Sequence, residues 1–109
     1  MEIDAQFLKG SIGLLLLNLL SRGEMYGYEI LQEASRRSAS AFEFKEGTLY
    51  PALHQLEKKG QIRSEWRTAE NGRERKYYSL TAKGRKVAAD YQKQWHHLTG
   101  AITAILESK

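Results

Sequence analysis

The segment from Gly47 to Gly84 constrains this chain more than any other. It contains Gly47-Thr48-Leu49-Tyr50-Pro51-Ala52-Leu53, then Leu56-Glu57-Lys58-Lys59-Gly60, then Arg75-Lys76-Tyr77-Tyr78-Ser79-Leu80-Thr81-Ala82-Lys83-Gly84. Leu49, Leu53 and Leu56 recur at spacings of four and three, which predicts a helix over 47–59 ended by Gly60. Pro51 is tolerable there if it lies in or just after the first turn. Alternation then replaces helical spacing. Ile62 and Trp66 fall on one face of a strand and the charges on the other, while Tyr78 and Leu80 oppose Arg75 and Tyr77. Glu70-Asn71-Gly72-Arg73 lies between the two strands, and both central residues tolerate positive φ, as a tight hairpin turn requires. The expected class is mainly α with a small two-stranded β wing, a winged helix-turn-helix.

Charge follows the same segment. From Lys58 to Lys86 there are ten Lys or Arg against three Asp or Glu, a local +7 in a chain whose net charge is +4. The remainder is therefore −3, and a cationic excess concentrated on one hairpin suits a polyanion. Length bounds the rest: 109 residues make one domain with an appended helix, and a core this small gains from burial against a second subunit. The chain has no cysteine, which excludes disulfides, thiol nucleophiles and thiolate metal sites. Met1-Glu2-Ile3-Asp4 is acidic where an export signal would be basic. The most apolar run, Ile12 to Leu20, falls far short of the ~20 residues that span a bilayer. A cytoplasmic protein with no membrane partner is expected.

A first helix is expected over 4–20, with Leu8, Ile12, Leu15, Leu16, Leu19 and Leu20 at helical spacing and Leu14 and Leu17 widening the stripe towards a second partner. A second helix over 26–37 carries Gly27, Ile30, Leu31 and Ala34 on one face, and a small-residue connection follows over 35–41. Thr81 caps a final helix that reaches nearly to the C-terminus. Its Tyr91, Trp95, Leu98, Ile102 and Ile105 are spaced four, three, four and three, the seam of a helix–helix contact. About 25 helical residues extend ~38 Å, more than so small a domain can cover, so a partner chain is expected. The expected dimer interface comprises Leu8, Ile12, Tyr91, Trp95, Leu98, Ile102 and Ile105. The organisation is a DNA-binding domain over 1–81 and a dimerisation helix over 82–109.

Tyr26-Gly27-Tyr28-Glu29-Ile30, Gly47-Thr48-Leu49-Tyr50-Pro51-Ala52-Leu53, Leu56-Glu57-x-x-Gly60, Arg75-Lys76-Tyr77-Tyr78 and Leu80-Thr81-x-x-Gly84 together resemble the PadR family of bacterial transcriptional regulators. The likeness covers 8–95, and the single C-terminal helix is similar to the family's compact branch. It implies a homodimeric repressor on a palindromic operator, released by a small molecule. Two positions depart from the usual pattern: Tyr26 stands where histidine is frequent, and Lys45 where a small capping residue is frequent.

Tyr50, His54 and Gln55 lie off the apolar stripe of the third helix and are expected at base edges, with Lys45, Thr48 and Lys58 on phosphates. Arg73, Arg75 and Lys76 beside the Asn-Gly tip are expected on phosphates as well, with Tyr77 a further contact. Trp95, flanked by Tyr91 and Leu98, lies midway along the seam, where two such rings could sandwich a planar aromatic effector. No cofactor or catalytic group is expected. His96 and His97 are adjacent, point ~100° apart on a helix and cannot grip one metal through i,i+4 geometry. The competing reading is a winged module that docks a protein and does not bind DNA. Such a module needs no cation cluster at its tip and would turn apolar residues outward from its third helix, which is polar outward here.

Overall fold

The computed structural model describes residues 5–108, with side chains from Gly10 onward. The elements run α1 (Ala5–Leu20), β1 (Met25–Tyr26), α2 (Gly27–Arg37), α3 (Glu46–Lys58), β2 (Ile62–Thr68), β3 (Glu74–Leu80) and α4 (Ala82–Leu106). The strands form one antiparallel sheet in the order β1-β3-β2. Leu16, Leu17 and Leu20 of α1, Ile30 of α2, Leu49 and Leu53 of α3 and Ile62 of β2 are the largest fully buried side chains, so one core lies between the helices and the inner face of the sheet.

The strand β1 was not expected. Two residues carry no periodicity, and Met25 and Tyr26 are extended because they pair with Tyr78 and Tyr77 of β3. Directly after them, the Tyr26 N–H donates to Glu29 Oε1 at 3.2 Å and α2 begins. Glycine at position 27 makes room for the Tyr50 hydroxyl, which a β-carbon there would push aside.

Lys45 is the N-cap of α3 and makes no side-chain cap; its carbonyl accepts from the Thr48 and Leu49 amides, both at 2.9 Å. Pro51 lies one turn further in than a first-turn proline. Having no N–H, Pro51 cannot donate to the Gly47 carbonyl, and Gly47 itself lies on the exposed side of the helix.

The hairpin differs from the expected two-residue loop. The Gly72 N–H donates to the Ala69 carbonyl at 2.9 Å and the Ala69 N–H to the Arg73 carbonyl at 2.7 Å. Gly72 has φ 81, whereas Asn71 is not left-handed. This is a three-residue loop, Glu70-Asn71-Gly72, built on a type I turn with a glycine bulge. The Asn71 side chain accepts from the Arg73 amide at 3.1 Å, which holds the turn without positive φ at Asn71. Ile62 and Trp66 do share a face, but Ile62 is 2% exposed and Trp66 65%, because the strands run out beyond the core.

Thr81 caps α4 as expected, accepting from the Gly84 amide at 3.0 Å and donating to the Gly60 carbonyl at 2.6 Å. A β-carbon at Gly84 would strike the Gln61 backbone carbonyl, so this turn of α4 lies against the chain between α3 and β2. Gly84 and Ala88 are the buried residues of α4. Beyond them Trp95, Leu98, Ile102 and Ile105 are all exposed, Ile105 by 74%. Leu8, expected at the dimer contact, lies outside the residues whose side chains are described. No helix among the described residues is long and apolar enough to cross a membrane.

Candidate nucleic-acid interface

The exposed side of α3 carries Thr48, Tyr50, His54, Gln55 and Lys58, with Lys45 at its start, while Leu49, Leu53 and Leu56 hold the opposite side in the core. Tyr50 is the exception to a fully outward set: it is 44% exposed, yet its hydroxyl end rests over Gly27. At the other end of α3, Glu57 Oε2 accepts from Ser64 Oγ of β2 at 2.5 Å. Tyr50, His54 and Glu57, spaced four and three, therefore share the edge of the helix nearest the wing. Tyr78 of β3 is buried between them. Burial first, and then the nearby Tyr50 and Glu57, raise its phenol above the ordinary value.

The two faces of the wing are chemically distinct. Toward α3 the directly opposed pairs are Ile62–Leu80, Ser64–Tyr78 and Trp66–Lys76, and the Lys76 ammonium lies 5.7 Å from the Tyr78 ring centre. The other face is an arginine–tyrosine ladder. Arg75 stands 4.3 Å over the ring of Tyr26, Arg67 stands 5.0 Å over Tyr77, and the two tyrosines meet edge to face at 5.6 Å. Arg67 and Arg75 are directly opposed, a repulsive placement relieved by carboxylates. Glu24 accepts from both terminal guanidinium nitrogens of Arg67, one of them at 2.7 Å, and Glu65 accepts from its Nε at 3.3 Å. Hydrogen bonding to Arg67 holds the Glu24 carboxyl below its ordinary value, and its carboxylate partners raise Arg67.

The cations expected on phosphates thus divide. Arg73 is exposed at the tip, Lys76 lies on the α3 side, and Arg75 is engaged by Tyr26 on the far side, with Tyr77 in the same ladder. Glu24 and Arg67 did not emerge from the sequence. They are 43 residues apart, and the pairing of β3 with both β1 and β2 brings them together.

A groove of about 630 Å³ opens between α1, the α2–α3 connection and α4. Leu14, Leu15, Leu19, Phe42, Phe44 and Trp95 are among its lining residues, along with His96. Phe42 and Phe44 lie 6.0 Å apart in the loop that follows Ala39 and Ser40, two residues with positive φ. Of the three side chains expected around an effector, Trp95 lines this groove; Tyr91 and Leu98 are exposed on the same stripe but do not. Among the described residues no group of three or more side chains could hold a metal ion.

A third helix with a polar outer side, a basic hairpin beside it and a long apolar-striped last helix define a winged helix-turn-helix protein. The chain belongs to the PadR-like family of transcriptional regulators, whose profile matches residues 16–90. It is 32% identical over 97 residues to a transcriptional regulator of Mycobacterium tuberculosis, covering 89% of this chain and 87% of that one. A transcriptional regulator of Clostridium thermocellum superposes with a TM-score of 0.85 at 30% identity, over 94% of this chain and 99% of that one. A PadR family regulator from Eggerthella lenta gives 0.83 at 30% identity, over 96% and 89%.

Proposed function

We propose that this chain is a homodimeric, ligand-responsive repressor that binds a palindromic operator. In this reading residues 1–81 hold the DNA and residues 82–109 pair the subunits, and the protein works in the cytoplasm, where its DNA is. The observation that carries the reading is the polar outer side of α3 beside a hairpin whose tip and inner face present Arg73 and Lys76. His54 and Gln55 read base edges, with Tyr50 at the rim, and Lys45, Thr48 and Lys58 take phosphates. Arg75 and Tyr77 hold the wing in place from its far side. The exposed stripe of Trp95, Leu98, Ile102 and Ile105 supports pairing through α4, with Tyr91 and Ile12 at its margin. The aromatic wall that Trp95 presents to the groove supports a planar effector.

The test is Gln55→Ala, measured on an operator selected from a random duplex pool and on an unselected duplex. Operator affinity should fall by ~1–3 kcal/mol, with little change on unselected DNA. Equal loss on both would remove Gln55 from base reading.

A further inference from the structure

The groove that Trp95 lines is longer than its aromatic wall, and its charge has one sign. Ser11, Leu15, Asn18 and Arg22 line it at spacings of four, three and four, so a single stripe of α1 and of the turn after it forms a continuous wall. From Ser11 to Arg22 that wall runs ~16 Å. Phe42 and Phe44 line the groove from the α2–α3 connection with their rings tilted by 38° to each other. A tilted pair makes no flat slot, whereas a flexible apolar chain can follow it. Arg22 and Arg37 both line the groove, and no acidic residue does. The Arg22 side chain has no partner among the described residues. Arg37 commits only its Nε, which donates to Glu33 at 2.8 Å, and Glu33 is shared with Arg36, so one carboxylate answers two guanidinium groups.

We propose that this groove binds a long-chain carboxylate, with the chain along the α1 wall and the carboxylate on Arg22. Arg37 adds potential of the same sign, which a groove with apolar walls concentrates. The proposal rests on the reading of this groove as the effector site and adds a second ligand shape to the planar one. Rings lie against Trp95, a chain lies along α1, and the two compete for one space. The rival occupant is α4 of a second copy. Asp90 is the only acidic residue in α4, and it already accepts from Gln94 Nε2 at 2.6 Å. That helix offers apolar side chains but nothing to answer the arginines, and covering an unanswered guanidinium is costly. A carboxylate on a chain answers both the leucines and the charge.

The experiment uses the full-length protein carrying Trp66→Phe, which leaves Trp95 as its one tryptophan. The probes are laurate, dodecyltrimethylammonium and dodecanol, which share a chain and differ in charge, each kept below micelle formation. Laurate should change Trp95 emission saturably and bind about 10-fold more tightly than the other two, the worth of one charge-assisted hydrogen bond. Added KCl should weaken laurate alone. Arg22→Gln should weaken laurate about 10-fold and leave the planar neutral dye Nile red unaffected. Melting temperature serves as the folding control, and little change is expected because Arg22 is exposed. Equal binding of the three chains, or laurate affinity intact in Arg22→Gln, would overturn the carboxylate site and leave the groove as an effector site. No response to any chain, with Nile red still quenching Trp95, would overturn the chain ligand and leave the planar reading standing. No response to any probe, Nile red included, would overturn the effector reading itself and the proposal with it.

Discussion

Arg73 and Arg75 are two residues apart on the same hairpin, yet the fold gives them different surroundings, and on the proposed reading salt dependence should separate them. A lysine or arginine that neutralises a phosphate releases condensed counterion, which contributes ~0.9 to the slope of log affinity against log salt. A homodimer carries each wing twice, so Arg73→Ala should flatten that slope by ~1.8. Arg75 lies on the far face, 4.3 Å from the ring centre of Tyr26, and its alanine variant should leave the slope nearly unchanged. What Arg75→Ala loses is a cation–π contact of ~0.5–1 kcal/mol at a partly exposed site, which loosens the ribbon without removing a phosphate partner. The assay is fluorescence anisotropy on a labelled duplex across a range of KCl concentrations, with each variant titrated beside the unmodified protein. Tyr26→Leu supplies an internal comparison, since it removes the ring and keeps the charge, and it should behave like Arg75→Ala. A slope change of ~1.8 in Arg75→Ala would place that guanidinium on DNA and refute the division of labour between the two faces.

Ile102→Glu puts a charge into the exposed stripe of α4 and should yield monomer or aggregate in sedimentation, with operator binding lost; a well-folded dimer would remove Ile102 from the interface. Planar aromatic dyes should quench tryptophan emission and release operator; both effects surviving Trp95→Ala would place the effector elsewhere than the groove that Trp95 lines. Glu33 is held at about 2 by Arg36 and Arg37, below its ordinary 4.5, so the native state favours its ionised form. That contribution to stability is complete above pH 4.5 and is lost as pH falls toward 2; the melting temperature of Glu33→Gln should lack this part of the acid decline, and an identical decline would show the pair to be inert.

Local chemistry made most of the frame legible. The Leu49–Leu53–Leu56 stripe, Gly60 and the Thr81 cap each act within a few residues, so the sequence carries them directly. The hairpin was legible as a hairpin but not as its loop type, because Asn71 can serve either geometry and its side-chain bond to the Arg73 amide decides. The rest is non-local. Met25 and Tyr26 become a strand only through β3, and Arg67 finds Glu24 only across the assembled sheet. Tyr26, a departure from the usual family residue, gains its role from Arg75, which no spacing connects to it. Trp66 alternates with Ile62 as a core residue would, and only the place where the core stops separates one from the other.

The way α4 is held has a mechanical consequence. Gly84 is pressed against the Gln61 carbonyl and Ala88 is buried, while the apolar residues further along are exposed. The helix is fixed at its root and leans on α1 further along, while its last turns stand clear of the core. From Ala88 to Ile105 the arm measures ~26 Å, so tilting it by ~5° at the root displaces the tip by ~2 Å. The relation also runs backwards: holding the tip against another body and shifting it by that much turns the whole winged half through the same angle. The close fit at the root is therefore what gives small movements at the far end their reach, and a side chain at Gly84, for which there is no room, would push the root off its seat.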